Sequence, residues 1–383
     1  MYKDLNASQR LIVLLARKTF SSAAIDEVAR SLECGVDWYD VLNGCIRNKI
    51  LPLAWHNLNT RKLAGKIPHK IRELCSFYAL GVARKNQALL DQFRMISSAL
   101  KSAGIRFAPL KGLVLVNEVY TPDSRQMNDF DLMICKDDRS RVRTLLNSLG
   151  FYESEFDHDS RSLRPLDRRQ KALWGLYMYN LPAFMKLIHD DYLEVVEVDF
   201  TFDIRFNSAR SAAEEFLSRL SFYEPLGCEV LQAEEFLLHL CCHLHKEAKN
   251  VLWVEREADF NLIKFCDVRE YVLHSMQTLD FERFLGLARK YEVEAAVYFT
   301  FHYLSQIYAD GYEQTLLSRL PAFDEAALGS YGERDLGKGI AVAGSFWRRF
   351  FKTDYLPDQN ERSIYSSLVS PVGRSDAKPP NVT

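Results

Sequence analysis

Residues 125–134 read Arg-Gln-Met-Asn-Asp-Phe-Asp-Leu-Met-Ile, a run that alternates acidic with apolar side chains from Asp129 onward. A β-strand places Asp129 and Asp131 on one face, about 7 Å apart, and the apolar side chains between them on the other. Two carboxylates at that spacing can bridge hard cations, and keeping two like charges so close without a cation costs free energy. The run predicts a metal-binding strand or, as the simpler alternative, an exposed edge strand with solvated acids.

The residues upstream of this run favour the first alternative. Lys111 and Gly112 follow a short β-type run at 105–110, where the chain is predicted to turn into a helix. A glycine there lets backbone approach a phosphate, and a helix N-terminus favours an anion. Lys111 adds a positive charge, so this turn is a candidate phosphate contact.

A second acidic strand is predicted downstream. Residues 194–203 read Glu-Val-Val-Glu-Val-Asp-Phe-Thr-Phe-Asp, which puts Glu197, Asp199 and Asp203 on one strand face and apolar side chains on the other. If this face is buried beside the first acidic strand, a cation is the simplest explanation, because buried charges are paired or bound to metal. Asp199 is the preferred third carboxylate, and Asp203 is left open.

The hydrophobic period divides the rest of the chain. Apolar residues recur at helical spacing in 7–58 and 67–103, strand and helix alternate between 105 and 149, and helical spacing returns from about 212 to 310. This order predicts an α+β fold with a mixed sheet core flanked by N-terminal and C-terminal helical modules. The predicted units are an N-terminal helical module at 1–103, an α/β core at 104–210, a C-terminal helical domain at 211–357 and a flexible tail at 358–383.

The amino-acid composition limits the kinds of partner that we expect for this protein. The chain of 383 residues has 49 Lys plus Arg against 51 Asp plus Glu, a net charge of −2 that gives no global field for gathering nucleic acid or anionic membrane. No apolar run approaches the roughly 18 residues of a membrane helix, and the N-terminal residues do not form a signal-peptide pattern. We therefore expect a cytoplasmic protein without membrane contact.

The motifs together resemble a known family. Lys111-Gly112, the R-x-M-x-D-x-D-L block that starts at Arg125, and the VEVD strand that ends at Asp199 resemble uncharacterised bacterial nucleotidyltransferases of the DNA polymerase β superfamily. Weaker likenesses extend over roughly 7–305. They include Asp37-Trp38 in the helical N-terminal module, an H-x-x-K helix with His243 and Lys246, and a later helix that ends in Asp267.

The resemblance implies a nucleotidyltransferase-type mixed sheet, a bound nucleoside triphosphate and two Mg²⁺ ions. Asp129 and Asp131 would hold both ions, and Asp199 would hold the ion that activates the acceptor. The residues implied for nucleotide binding are Lys111, Gly112, Arg125, His243 and Lys246. Arg125 has a second interpretation, as a brace for the acids. The turn has Lys-Gly where the superfamily usually has Gly-Ser or Gly-Gly, which leaves the acceptor chemistry open.

The implied activity is transfer of a nucleoside monophosphate, with AMP from ATP expected, to a hydroxyl or phosphate of a small molecule, peptide or protein. The alternatives are a catalytically silent nucleotide-binding protein on the same fold and a tRNA-directed nucleotidyltransferase toxin. Net charge argues against nucleic acid as the acceptor, and the intact acid set argues against a silent protein.

Three further clusters have structural interpretations. His239 and His243 at helical spacing, beside two cysteines, are compatible with zinc, but their apolar surroundings favour packing. The basic run 161–171 is compatible with a polyanion, although a solvated face is the commoner explanation. The aromatic and basic stretch 346–351 is expected to pack against the core.

Overall fold

The computed structural model describes residues 2, 4–177, 179–205, 211–255, 259–333, 337–342 and 344–351. The predicted flexible tail at 358–383 lies outside these ranges. The α-helices are α1 Ala7–Leu15, α2 Ser22–Glu33, α3 Trp38–Arg47, α4 Leu51–Thr60, α5 His69–Ser102, α6 Gly112–Glu118, α7 Arg139–Ser148, α8 Arg168–Tyr177, α9 Ala212–Leu217, α10 Ala233–Lys249, α11 Val251–Glu255, α12 Leu262–Ser275, α13 Phe281–Lys290, α14 Glu294–Ile307, α15 Tyr312–Leu317, α16 Glu325–Leu328 and α17 Arg348–Phe351. The strands are β1 Phe107–Pro109, β2 Phe130–Ile134, β3 Tyr152–Asp157, β4 Ser162–Pro165, β5 Phe184–Leu187, β6 Val195–Thr201, β7 Ser221–Tyr223, β8 Cys228–Val230, β9 Ser330–Tyr331 and β10 Ile340–Ala341.

A mixed six-stranded sheet forms the centre, in the order β1-β2-β6-β5-β3-β4. Strands β2 and β6 run parallel, while the other neighbours in this sheet pair antiparallel. Helices flank the sheet, which confirms the predicted α+β class with a mixed sheet. A parallel pair needs a long crossover, and here the crossover between β2 and β6 contains α7, β3, β4, α8 and β5.

The N-terminal helices follow local capping rules. The side chain of Asn6 accepts a hydrogen bond from the backbone N–H of Gln9 at the start of α1, and Asp37 caps α3. Pro52 lies after the end of α3, in the first turn of α4. Proline fits there because the first backbone N–H groups of a helix have no partner within the helix.

The stretch predicted as one or two helices is a single helix of 34 residues, α5. It ends at Ser102, and Gly104 follows two residues later with a positive φ of 63°, which suits glycine. One continuous apolar core then joins the helices to the sheet, with Leu11, Phe93, Phe130 and Phe350 fully buried or nearly so. Because the core is continuous, the four-unit division at 1–103, 104–210, 211–357 and 358–383 stays a prediction.

The C-terminal stretch 346–351 packs into this core, with Phe350 buried and the Arg349 guanidinium bound to Asp259. This is the arrangement that the sequence favoured for it. Within the described ranges, no helix is long and apolar enough to cross a membrane.

Candidate active site

The parallel pairing of β2 and β6 brings the two acidic strands together. Asp131 and Asp199 are direct partners in the register. Asp129 lies one residue before β2 begins, on the same approach to the sheet. In β6 the buried side chains alternate with half-buried ones, and Asp199 is among the half-buried set. The acidic faces of the two strands are thus neighbours.

Asp203, the other candidate for the third carboxylate, lies beyond the end of β6. Its Oδ1 accepts a hydrogen bond from the backbone N–H of Ile204 at 2.7 Å. A carboxylate that caps a turn in this way has fewer lone pairs left for a ligand. The register therefore favours Asp199 over Asp203, although the role of either residue stays a prediction.

Lys111 neutralises part of the acidic face. Its Nζ lies 2.6 Å from Oδ1 of Asp131, and both side chains are mostly buried. Burial alone lowers the pKa of this ammonium, but the charges of Asp131 and Asp129 outweigh that effect and raise it. Lys111 is therefore a cation at neutral pH.

The backbone of Lys111 is strained. Its φ of 45° and ψ of −119° fall in a region that residues with a Cβ rarely adopt. Such strain costs roughly 1–3 kcal/mol and persists only where the surroundings enforce it. Here the ion pair to Asp131 and the hydrogen bond from Leu110 N to Asp131 O, 3.0 Å long, fix the turn. The following helix α6 has only seven residues, so its dipole adds little to the expected anion binding.

Gly112 has a packing role in the structure. A Cβ at this position would lie 3.0 Å from Nη1 of Arg125 and 3.1 Å from Cγ of Met127. Glycine therefore allows the segment before β2 to pack against the start of α6. Its predicted contact with a phosphate stays untested.

The acids outnumber the lysine that faces them. Burial, together with Asp129 and Asp131, raises the pKa of Glu197 to about 7. Burial and the same two neighbours raise the pKa of Asp199 well above its ordinary value. Asp131 also has a raised pKa, because burial and Asp129 act against the lowering by Lys111. The site holds a surplus of mutually repelling carboxylates.

A hard divalent cation suits this donor set, since every donor is a carboxylate oxygen and a cation would relieve the repulsion. As the side chains stand, however, no group of three or more His, Cys, Asp or Glu in the described part of the chain could hold a metal ion. The expected convergence of Asp129, Asp131 and Asp199 on one cation is therefore incomplete. The ammonium of Lys111 occupies one of the two oxygens of Asp131, so it competes with a cation for that carboxylate.

Arg125 is a brace. Its Nε and Nη2 donate to the two carboxylate oxygens of Asp267 on α12, at 2.8 Å and 2.6 Å. Both side chains are buried. This geometry supports the second interpretation of Arg125, because the fork that would hold a phosphate is already occupied by a carboxylate.

Asn86 in α5 positions the same segment, and the sequence analysis missed it. Its Nδ2 donates to the backbone oxygens of Pro122 and Arg125, at 2.7 Å and 2.8 Å, and its Oδ1 accepts from Met127 N at 3.0 Å. Asn86 is fully buried in the apolar stripe of a long helix. A polar residue on the apolar face was the signal that could have identified it.

The helix α10 presents its predicted residues toward the acids. The rings of His239 and His243 stack with centroids 6.2 Å apart. Burial, then the charges of Lys111 and Lys246, lowers the pKa of both imidazoles well below the ordinary value. Both rings are neutral at pH 7, and the influence of Lys111 places them beside the site.

Lys246 and His243 have partners of their own. Nζ of Lys246 lies 5.2 Å from the ring centroid of Tyr179, and its charge reaches Asp131. Nε2 of His243 lies 3.2 Å from Glu247, which also pairs with Lys264. The H-x-x-K pair thus flanks the acids, while its contact with nucleotide stays a prediction.

The basic run at 161–171 does not join this group. Arg161 pairs with Glu194, Arg164 with Glu155, and Lys171 with Glu153. The solvated-face interpretation fits these partners.

Residues 35–309 match the model of a family described as an uncharacterised nucleotidyltransferase, well over half of the chain. The chain belongs to this family, which confirms the resemblance, and it is a nucleotidyltransferase with a nucleoside triphosphate as its implied substrate. Comparison with curated proteins gives no match.

Proposed function

We propose that this member of the nucleotidyltransferase family moves a nucleoside monophosphate, with AMP as the expected group, from a triphosphate to a hydroxyl or phosphate of a small molecule, peptide or protein. The observation that carries the proposal is the register that sets Asp131 beside Asp199 in a surplus of carboxylates with Lys111 among them. In nucleotidyl transfer, the protein contributes mainly by positioning the reactants and by stabilising charge with groups held in place.

Magnesium is the proposed cofactor, with Asp129 and Asp131 as ligands of two ions and Asp199 as a ligand of the ion on the acceptor side. When bound, the ions would neutralise charge on the phosphoryl oxygens and lower the pKa of the acceptor oxygen. Asp199 is also the candidate proton acceptor, because burial and the neighbouring carboxylates already raise its pKa.

Lys111 is proposed to change partners during binding. In the structure its ammonium is bound to Asp131. A triphosphate offers it an alternative anion, and its departure frees an oxygen of Asp131 for metal. Lys111 therefore couples phosphate binding to metal binding through one shared carboxylate.

His243 and Lys246 are proposed to contact the phosphates. Neutral His243 has one N–H donor, which would have to leave Glu247 to reach a phosphate, and an ammonium offers three donors. Arg125 contributes indirectly, since its bond to Asp267 holds the segment that leads into β2.

A nucleic-acid acceptor is less well supported. Three of the five basic side chains in 161–171 already pair with glutamates, and the formal net charge is −2. A phosphate backbone is normally recognised by unpaired cations in a continuous patch. A small molecule, peptide or protein therefore fits the chain better than tRNA does.

The experiment is transfer of label from each α-labelled nucleoside triphosphate, with Mg²⁺ and host-cell extract, to any acceptor. Wild type should label a product, and the Asp129→Asn, Asp131→Asn double variant should not. Mg²⁺ with triphosphate should also raise the melting temperature of the wild type but not of the double variant. A ligand that binds only the folded state stabilises that state, and the double variant has lost the carboxylates that would bind the metal. A thermal shift without label transfer in any extract would favour the silent binding protein, and label on tRNA would favour the toxin.

A further inference from the structure

A cavity of about 480 Å³ lies between α1, α2 and the C-terminal end of α14, and its wall includes Arg10, Arg17, Glu27 and Tyr308. None of its lining residues belongs to the candidate active site. The volume falls in the range of small-molecule sites, which is roughly 300–1,000 Å³. The cavity is therefore a separate place where a ligand fits.

Arg17 is the unusual member of this wall. Its side chain is 6% exposed, yet its Nε and Nη2 have no hydrogen-bond acceptor. The guanidinium carbon lies 5.7 Å from the ring centroid of Phe20 and 5.4 Å from that of Tyr308. Aromatic contacts leave the in-plane N–H groups unsatisfied, and burying a charge without a partner is costly.

The other buried arginines show what these two nitrogens usually do. Four arginines are buried in the described part of the chain, and in three of them Nε and Nη2 together bind one carboxylate: Arg125 binds Asp267, Arg269 binds Asp310 and Arg349 binds Asp259. Arg17 is the fourth, and no described carboxylate forms an ion pair with it. Its Nε–Nη2 edge has the geometry that binds a carboxylate or phosphate with two parallel bonds.

The neighbouring phenols do not supply the missing charge. Burial raises the pKa of Tyr2 and that of Tyr308, so both are neutral at pH 7. Their hydroxyls donate to backbone oxygens, Tyr2 to Ile307 at 2.9 Å and Tyr308 to Ala16 at 2.6 Å. Neither phenol is an anion, and Glu27, the one described carboxylate in this wall, forms no ion pair with Arg17.

The segment that carries Arg17 is held in place. Glu270 on α12 accepts hydrogen bonds from the backbone N–H groups of Lys18 and Thr19, at 2.9 Å and 3.0 Å. Asn57 donates to the backbone oxygen of Arg17 itself. The backbone at Arg17 is therefore already fixed, and only its side chain has to move when a ligand binds.

We propose that this cavity binds a small molecule in which a carboxylate or phosphate monoester is joined to an apolar body. Arg17 binds the oxyanion through its Nε–Nη2 edge after a small rotation, because this edge is now closed off from solvent. Arg10 adds a second positive charge at the wall, and Leu14 and Tyr308 contact the apolar body. Glu27 in the same wall opposes the anion and limits the affinity.

The test uses the full chain at pH 7 and isothermal titration calorimetry with three probes: phenyl phosphate, 3-phenylpropanoate and the neutral 3-phenylpropan-1-ol. At least one of the two anions should bind saturably, and the better one identifies the oxyanion. The alcohol should bind at least tenfold more weakly, since one charge-assisted contact is worth about 1.5–3 kcal/mol. Equal binding of the alcohol, or no saturable binding of either anion, overturns the proposal.

Variants locate the site. Arg17→Gln should weaken binding of the anion roughly tenfold or more, and Glu27→Gln should strengthen it by about threefold, because the two side chains carry opposite charge. Arg30→Gln, at the exposed end of α2, is the matched control and should change nothing.

Two outcomes contradict the location. The first is anion binding that is unchanged in both Arg17→Gln and Glu27→Gln. The second is anion binding that Lys111→Ala abolishes, since the anion would then occupy the active site. If Arg17→Gln does not fold, Arg10→Gln and Glu27→Gln still give opposite expected shifts. These outcomes do not depend on the proposed transfer reaction.

Discussion

Two charged regions of this protein are built in opposite ways. At the C-terminal end, Arg349 and Asp259 form a matched pair that is almost wholly buried. At the junction of β2 and β6, Asp131, Asp199 and Glu197 share one lysine, and burial, followed by repulsion from neighbouring carboxylates, raises the pKa of each carboxyl group. A matched pair is what a structural role requires, whereas a surplus of one sign destabilises the fold and indicates a ligand of the other sign.

The largest effect is expected at the matched pair. Asp259→Asn leaves the buried Arg349 without a counter-charge and should lower the free energy of unfolding by about 3–5 kcal/mol, measured by urea denaturation. Glu33→Gln is the control, because its pair with Lys66 is exposed and should be worth less than about 1 kcal/mol. If Asp259→Asn costs no more than the control, this pair does not differ from a surface pair.

In contrast to Asp259→Asn, the variant Asp199→Asn should lose activity and keep its stability. We expect transfer to fall by about a hundredfold or more, the scale of losing a general base or metal ligand, while triphosphate affinity changes little. Asp203→Asn is the matched control and should retain transfer within a few fold, since its side chain caps a turn. Loss of transfer in Asp203→Asn alone, or loss of triphosphate binding in Asp199→Asn, would show that the assignment of Asp199 as the third carboxylate is wrong.

Lys111→Ala should weaken triphosphate affinity by roughly tenfold in calorimetry, because one charge-assisted contact is lost. Lys111→Gly removes the same ammonium but accommodates φ of 45° and ψ of −119°. The glycine variant should therefore be more stable than the alanine variant by about 1 kcal/mol, with the same loss of affinity. Equal melting temperatures would mean that the turn is not strained.

The smallest effect concerns Glu197, whose pKa rises from 4.5 to about 7 on folding. A raised carboxyl pKa means that the folded state holds its proton more tightly than the unfolded chain, so stability is lost as pH rises through this window. Glu197→Gln removes the penalty. Its advantage over wild type should grow to the order of 1 kcal/mol between about pH 4.5 and 7 and stay level above it, because water screens part of the repulsion. If the stability advantage of Glu197→Gln is independent of pH, the ionisation of Glu197 is not its cause.

The sequence by itself determined the features that depend on local periodicity. Alternation along 125–134 and 194–203 placed the acids on one face of each strand, and helical spacing identified the helices within 7–58 and 67–103. The α+β class and the family followed from the same motifs. Periodicity failed at 151–192, where β3, β4 and β5 were missed, because those strands are short and partly exposed and carry no clean alternation.

Only the tertiary structure decided which charges meet. Arg125 finds Asp267 across 142 residues of chain, and Lys111 lies on Asp131 rather than free in the turn. Arg17, in contrast, is buried and forms no ion pair with a carboxylate of the described residues. The spacing of residues along one element fixes which face a side chain occupies, but a charge is neutralised by whatever the fold packs against that face. Pairing therefore depends on long-range contacts that a local pattern does not contain.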